Sequence, residues 1–250
     1  MRKHKARFFA RGENHIEVVN YFEIYAPIAA WSTVRMVMNI AIQRKWSTRQ
    51  VDFSNAFVQE KLKEEIFLEL PGMFSEENHN STDEGVVLKL NKSLYGLVQA
   101  PRSWYHHLQC GLTKLDFVPL AEDPRIYYGR GMILITYVDN TLLFGPDLNQ
   151  IEKVVSKLEG LGYGLTLEEG DESTAFAFLG VSITPYPVTK MLRLTQTGII
   201  EKILKSTGMS DCNTQGSPAN YRSLGTDATG AHQKYSWNSA SVIGIMMSLA

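Results

Sequence analysis

Apolar residues recur at helical spacing over Ser32–Lys45, where Val34, Val37, Met38, Ala41 and Ile42 form one stripe. That pattern predicts a helix, with Ser32 or Thr33 available to cap it. The period then shortens, and Ser47–Phe53 reads as a strand with Asp52 near its end. A short helix over Ser54–Lys63 and an extended run Ile66–Leu70, stopped by Pro71-Gly72, follow. Ser75–Gly85 is polar and predicts a surface loop; Val86–Leu90 predicts a strand. Pro101–Leu115 has helical spacing, with Trp104, Leu108, Leu112 and Leu115 on one side. The apolar runs Met132–Val138 and Thr141–Phe144 flank Asp139-Asn140, residues that tolerate turn backbone, which predicts a hairpin.

Downstream, Leu148–Leu161 is an amphipathic helix, and Phe176–Thr184 with Met191–Leu194 predicts a strand pair around Pro185 and Pro187. Thr197–Gly208 predicts a helix ending at glycine. Asn213–Ser236 is turn-rich and polar, a predicted linker, and Ser239–Ala250 an apolar helix. Helices and antiparallel hairpins alternate irregularly, which favours α+β over a doubly wound parallel sheet.

Composition narrows the classes. With 250 residues, 44% of them hydrophobic, the chain can bury a core and is not globally disordered. Its net charge of −1 gives no whole-molecule attraction to a polyanion, so such a site must be local. Arg2, Lys3, Lys5, Arg7 and Arg11 precede any acidic residue and are one candidate; a solvated basic terminus is the plainer alternative. Cys110 and Cys212 make neither a disulfide framework nor a zinc pattern, which fits a reducing compartment, cytoplasmic or nuclear. No apolar run approaches the roughly 20 residues that span a bilayer. No h-region follows the basic start, which argues against a secretory signal and leaves a transit peptide open.

Asp52 and Asp139 are the candidate chemistry. Carboxylates at strand ends suit magnesium, a hard ion that takes oxygen ligands and keeps several waters. Two such ions about 4 Å apart support phosphoryl transfer. Read alone, Asp52 is equally a helix cap or a surface acid, and Asp139 equally a turn residue.

The neighbouring residues add a resemblance. Lys5-Ala6-Arg7 with Ala10-Arg11-Gly12 is similar to KARLVARG, Phe22–Pro27 to ETFAP, and Gln50–Phe57 to QMDVKTAF. Ser93–Tyr105, SLYGLVQAPRSWY, is close to SLYGLKQAPRAWY, and Tyr137–Asn140 stands where YVDD is expected. Phe178–Val181 resembles FLGIEI and Leu194–Gln196 resembles LSQ. In this order the segments resemble the reverse transcriptase domain of copia-type retrotransposons.

The resemblance implies a polymerase palm, an antiparallel sheet backed by helices, with partial fingers at the N-terminus. It implies catalytic Asp52, Asp139 and Asn140, with Asp52 and Asp139 as ligands of two Mg2+ ions (or Mn2+). It places Phe57 beneath the incoming sugar, where a ring opposes a 2′-hydroxyl; ordinary core packing is the alternative. Tyr95 and Gly96 would lie near nucleotide and template, Lys5 and Arg7 would neutralise phosphates, and Phe178, Leu179 and Gly180 would grip the primer. Trp104 and Tyr105 are expected in the core rather than as stacking platforms. The implied partners are a primed RNA or DNA template and deoxynucleoside triphosphates, with no membrane.

Three departures stand out. Asn140 offers an oxygen without a charge, and loss of a nearby carboxylate is expected to cost on the order of a hundredfold in rate. Glu60 replaces a turn glycine and is expected to be strained if that position needs positive φ. Glu13-Asn14-His15 replaces an uncharged stretch. Residues 1–218 are expected to form incomplete fingers and the palm, and 219–250 a linker and the start of a following region, as in a truncated polyprotein piece. The expected function is RNA-directed DNA synthesis; the alternative is an inactive remnant with residual nucleic-acid binding.

Overall fold

The computed structural model describes residues 8–12, 15, 21, 23–62, 64–69, 87–167, 176–213, 216 and 237–247. Lys5, Arg7, the predicted surface loop Ser75–Gly85 and most of the predicted linker Asn213–Ser236 lie outside them. The chain divides into two compact units, Met1–Thr174 with Tyr186–Met191, and Ala175–Pro185 with Leu192–Ala250.

The first unit opens with α1 (Trp31–Arg44), then β1 (Ser47–Phe53), a single turn α2 (Ala56–Gln59), and the hairpin β2 (Phe67–Glu69) and β3 (Val87–Lys89). Helix α3 (Ala100–Lys114) leads to β4 (Val118–Pro119), β5 (Ile126–Gly129), β6 (Met132–Tyr137) and β7 (Asn140–Gly145). Helix α4 (Leu148–Gly160) and β8 (Leu165–Leu167) follow. A single sheet runs β4-β5-β6-β7-β1-β8 with antiparallel neighbours throughout. The α+β reading holds.

One face of this sheet is sealed by helices. Val51, Phe53, Leu134 and Leu143 meet Trp104, Leu108 and Leu112 of α3 and Ile151, Val154, Val155 and Leu158 of α4 in one buried cluster. Alternation along β1 carries Val51 and Phe53 into this core and leaves Asp52 on the opposite face. Helix α4 is closed at its start by Asp147, whose carboxylate accepts from Asn149 N at 2.9 Å. A second cluster joins Ala10, Ile66, Leu97 and Ala100, and half-buried Phe57 packs against both.

Several sequence expectations shift. Ser32 and Thr33 do not cap α1; Ala30 is the N-cap, without a side-chain bond, and its own N–H donates to Asp123 Oδ2 at 3.2 Å. The helix expected over Ser54–Lys63 is only the turn Ala56–Gln59. Glu60 has φ −87°, ordinary extended backbone, so the expected strain is absent; the left-handed residue here is Asn55, at φ 53°. Strands β4, β5 and β8 were not foreseen.

In the second unit, the expected strand pair is three strands, β9 (Phe176–Phe178), β10 (Val181–Tyr186) and β11 (Met191–Thr195), ordered β11-β10-β9. The extra strand arises because Leu179 and Gly180 both take positive φ, 52° and 80°, and fold β9 back on β10. Helix α5 (Thr197–Thr207) ends at Gly208 in the left-handed region, and α6 is Ser239–Met247. Among the described residues no helix is long and apolar enough to cross a membrane.

Tyr163 ties the start of β8 to α3: its hydroxyl donates to the His107 carbonyl at 2.7 Å. Burial pushes that hydroxyl up to about 12, against about 10 in an unfolded chain. Between these values the folded state holds a proton the unfolded state has lost, so stability is full below pH 10 and falls as pH rises toward 12. The expected loss is about 2–3 kcal/mol. Urea unfolding at pH 9 through 12 checks this: Tyr163→Phe should flatten the alkaline decline. An unchanged slope would refute the assignment.

Candidate active site

Asp52 stands in a row of paired residues that crosses four strands. It opposes Asn140 on β7 and Thr166 on β8, and Asn140 opposes Tyr137 on β6. Directly paired residues project from the same sheet face, so Tyr137, Asn140, Asp52 and Thr166 share the face away from α3 and α4. Asp52, Asp139 and Asn140 are all half-buried. The row is wet at its rim and dry one step inward, where Ile135 and Leu142 are 0% exposed.

Asp139 occupies the turn between β6 and β7. The sequence places that turn at Asp139-Asn140; in the structure it is Val138-Asp139, and Asn140 is the first residue of β7. Strand pairing causes the shift, because Asn140 matches nearby Tyr137 on one side and distant Asp52 on the other. Val138 therefore takes φ 55°, an unusual conformation for a β-branched residue. One step beyond the Asp52 pair, Phe53 N–H donates to the Asp139 carbonyl at 2.8 Å. Asp52 on β1 and Asp139 in the turn that leads into neighbouring β7 are thus one register step apart along the backbone. Asn140 Nδ2 donates to Asp139 Oδ1 at 3.3 Å, so the amide occupies a lone pair of the carboxylate.

The end of β1 is anchored from below. Ser54 N–H donates to the Gly164 carbonyl at 2.9 Å, and Gln59 Nε2 reaches the Ser54 and Gly164 carbonyls at 2.8 and 2.9 Å. Trp104 is fully buried, as expected of a core residue, yet its indole N–H donates to the Val138 carbonyl at 2.6 Å. That contact was not legible in the sequence, where Trp104 shows only helical spacing.

Among the described residues no cluster of three or more His, Cys, Asp or Glu could cage a metal. Asp52 and Asp139 with the Asn140 side-chain oxygen are a hard, oxygen-only set. Such a set fits magnesium, which binds through one or two carboxylates and completes its shell with water and substrate phosphate.

Phe57 and Tyr95 are brought together, ring centroids 5.0 Å apart at 64°. With its contacts to both buried clusters, this edge-on contact gives Phe57 the packing that the core reading describes. Gly96 has φ 89°, and a Cβ there would stand 2.1 Å from the Ala10 carbonyl oxygen; Ala10 N–H donates to the Tyr95 carbonyl at 2.8 Å. This close backbone approach ties the described part of the N-terminal segment to the Tyr95 loop. Leu179 and Gly180 form the β9–β10 turn of the second unit, after buried Phe178 at the end of β9, and Gly180 is exposed.

Comparison with known proteins converges. The sequence model of the family described as reverse transcriptase (RNA-dependent DNA polymerase) matches residues 1–221. A retrovirus-related Pol polyprotein from transposon RE1 of Arabidopsis thaliana is 30% identical over 213 residues, 84% of this chain and 14% of the polyprotein. The corresponding polyprotein from transposon TNT 1-94 of Nicotiana tabacum is 29% identical over 221 residues, 86% of this chain and 16% of that one. The transposon Ty1-GR3 Gag-Pol polyprotein of Saccharomyces cerevisiae is 27% identical over 212 residues, 81% of this chain and 11% of the relative. The chain therefore spans 11% to 16% of the length of these polyproteins.

Proposed function

Because the chain belongs to the reverse transcriptase (RNA-dependent DNA polymerase) family, in its copia-type retrotransposon branch, we propose that it extends a primer on an RNA or DNA template. The observation that carries the proposal is the backbone juxtaposition of Asp52 and Asp139 between β1 and the β6–β7 turn. Asp52 pairs with Asn140, and Phe53 N–H holds the Asp139 carbonyl.

In the proposed reaction the primer 3′-hydroxyl oxygen forms a bond to the α-phosphorus of a deoxynucleoside triphosphate. The bond from that phosphorus to the pyrophosphate oxygen breaks, and the hydroxyl proton leaves to solvent. Asp52 and Asp139 would hold two Mg2+ ions, or Mn2+ in their place, which when bound supply charge opposite the attacking and leaving oxygens. Phe57 and Tyr95 would form the wall beneath the sugar. Gly96, whose missing side chain admits the Ala10 backbone, would lie near the nucleotide and template. Lys5, Arg7 and Arg11 would neutralise phosphates without reading sequence. The Phe178–Gly180 turn would grip the primer, and the six-stranded sheet would serve as the palm, with the N-terminal segment as part of the fingers.

A second reading is favoured by the Asn140 amide. With one carboxylate missing and another engaged by an amide donor, the chain would be a remnant that binds primed template without extending it. Primer extension on an oligo(dT)-primed RNA template, in magnesium and in manganese, separates the two. Extension that disappears in Asp52→Ala supports polymerisation. Salt-sensitive template binding with no extension in either metal would favour the remnant.

A further inference from the structure

We propose that Trp104 is a positioning residue for Asp139, acting through the peptide groups of the turn rather than as a passive part of the core. The inference rests on the polymerase reading for its purpose, but its structural claim can be tested separately.

The two peptide groups that flank Asp139 are both held from outside the hairpin. The carbonyl of Val138 belongs to the peptide plane entering Asp139, and it accepts the Trp104 indole N–H at 2.6 Å. The carbonyl of Asp139 belongs to the plane leaving it, and it accepts the Phe53 N–H at 2.8 Å. A residue whose two flanking planes are fixed has its φ and ψ fixed, and only its side-chain torsions remain free. Phe53 directly follows Asp52, so the leaving plane is registered to the strand that carries the other carboxylate. Among the described residues the entering plane is held by the indole.

The indole is itself enclosed by packed rings. Trp104 is 0% exposed, and its ring packs edge-on against Phe53 at 5.2 Å and against Tyr163 at 6.3 Å. The same side chain therefore contacts the strand of Asp52 with its ring and the turn of Asp139 with its N–H. The turn needs the restraint, since Val138 sits at φ 55°, where a β-branched side chain is disfavoured. Without the indole donor the entering plane can rotate to relieve Val138 and turn the Asp139 side chain with it.

A purely structural tryptophan would lower stability on replacement and leave the folded site unchanged. The test compares Trp104→Phe with Leu112→Ala, a truncation in the same buried cluster, under conditions where all proteins are folded. Two readouts are taken on the full chain. Amide hydrogen exchange at Asp139 and Asn140, without metal, is expected to quicken about tenfold in Trp104→Phe beyond any change in Leu112→Ala. Mn2+ affinity, followed by electron paramagnetic resonance and defined as the part lost in Asp52→Ala, is expected to weaken about tenfold in Trp104→Phe only. Equal exchange in native and Trp104→Phe chains overturns the proposal whether or not Mn2+ binds. Native binding that is unaffected by Asp52→Ala counts against the metal reading instead, and exchange alone then decides the role of Trp104.

Discussion

An Asn140→Asp chain is expected to extend a primed template about a hundredfold faster than the native chain in saturating magnesium. Asn140 pairs with Asp52 in the β1–β7 register and donates to Asp139 Oδ1 at 3.3 Å, so it lies within the proposed ion site. A unit charge about 4 Å from another interacts by about 4 kcal/mol at an effective dielectric near 20. Water and the remaining ligands compensate for part of this in the native chain. A residual effect of about 2.7 kcal/mol on the barrier is a hundredfold. Adding Asp52→Ala should abolish the gain, because the restored carboxylate alone cannot hold what the pair holds.

The same substitution has an opposite effect on the metal-free fold. It removes the amide donor from Asp139 and puts a like charge beside it, which is expected to cost about 1 kcal/mol. Magnesium should reverse that cost, so the thermal midpoint of Asn140→Asp should rise with magnesium more steeply than that of the native chain. An extension rate and a midpoint both indifferent to the substitution would remove Asn140 from the site.

The contrast between what was legible and what was not follows the range of the interactions. Val51 and Phe53 of Ser47–Phe53 meet α3 and α4, so the strand, with Asp52 near its end, could be read locally. The hairpin was legible, but its turn was displaced by one residue. Local preference favours Asp and Asn at left-handed positions, and pairing to β1 outweighs it by drawing Asn140 into the ladder and leaving Val138 at φ 55°. The cap of α1 failed for a similar reason. Its free N–H is satisfied by Asp123, which lies 93 residues away. Strands β4, β5 and β8 run two to four residues, too short to show a period. The Trp104 bond depends on two segments 34 residues apart and leaves no trace in spacing.

Arg125→Ala is expected to destabilise the first unit by about 3–5 kcal/mol, and the reason shows why the Phe22–Pro27 motif matters to the fold. Arg125 is 2% exposed. Its Nε donates to the Pro27 carbonyl, and its guanidinium lies 4.5 Å from the centre of the Tyr105 ring on α3. Its main-chain N–H donates to Asp123 Oδ1 at 3.2 Å, and the other oxygen of Asp123 accepts from Ala30 at the start of α1. Burial lowers the pKa of the guanidinium, while Tyr127, Tyr105 and Asp123 oppose that shift. One side chain thus joins the segment before α1 to β5 and α3. Alanine would leave the Pro27 carbonyl without this donor, remove the cation from the Tyr105 ring and open a cavity. Methionine would refill most of the volume, so Arg125→Met should lose less, about 1–3 kcal/mol for the orphaned carbonyl and the lost ring contact. Urea midpoints order the three chains. A loss below about 1 kcal/mol in Arg125→Ala would mean that the Tyr25–Pro27 segment is held by something other than this arginine.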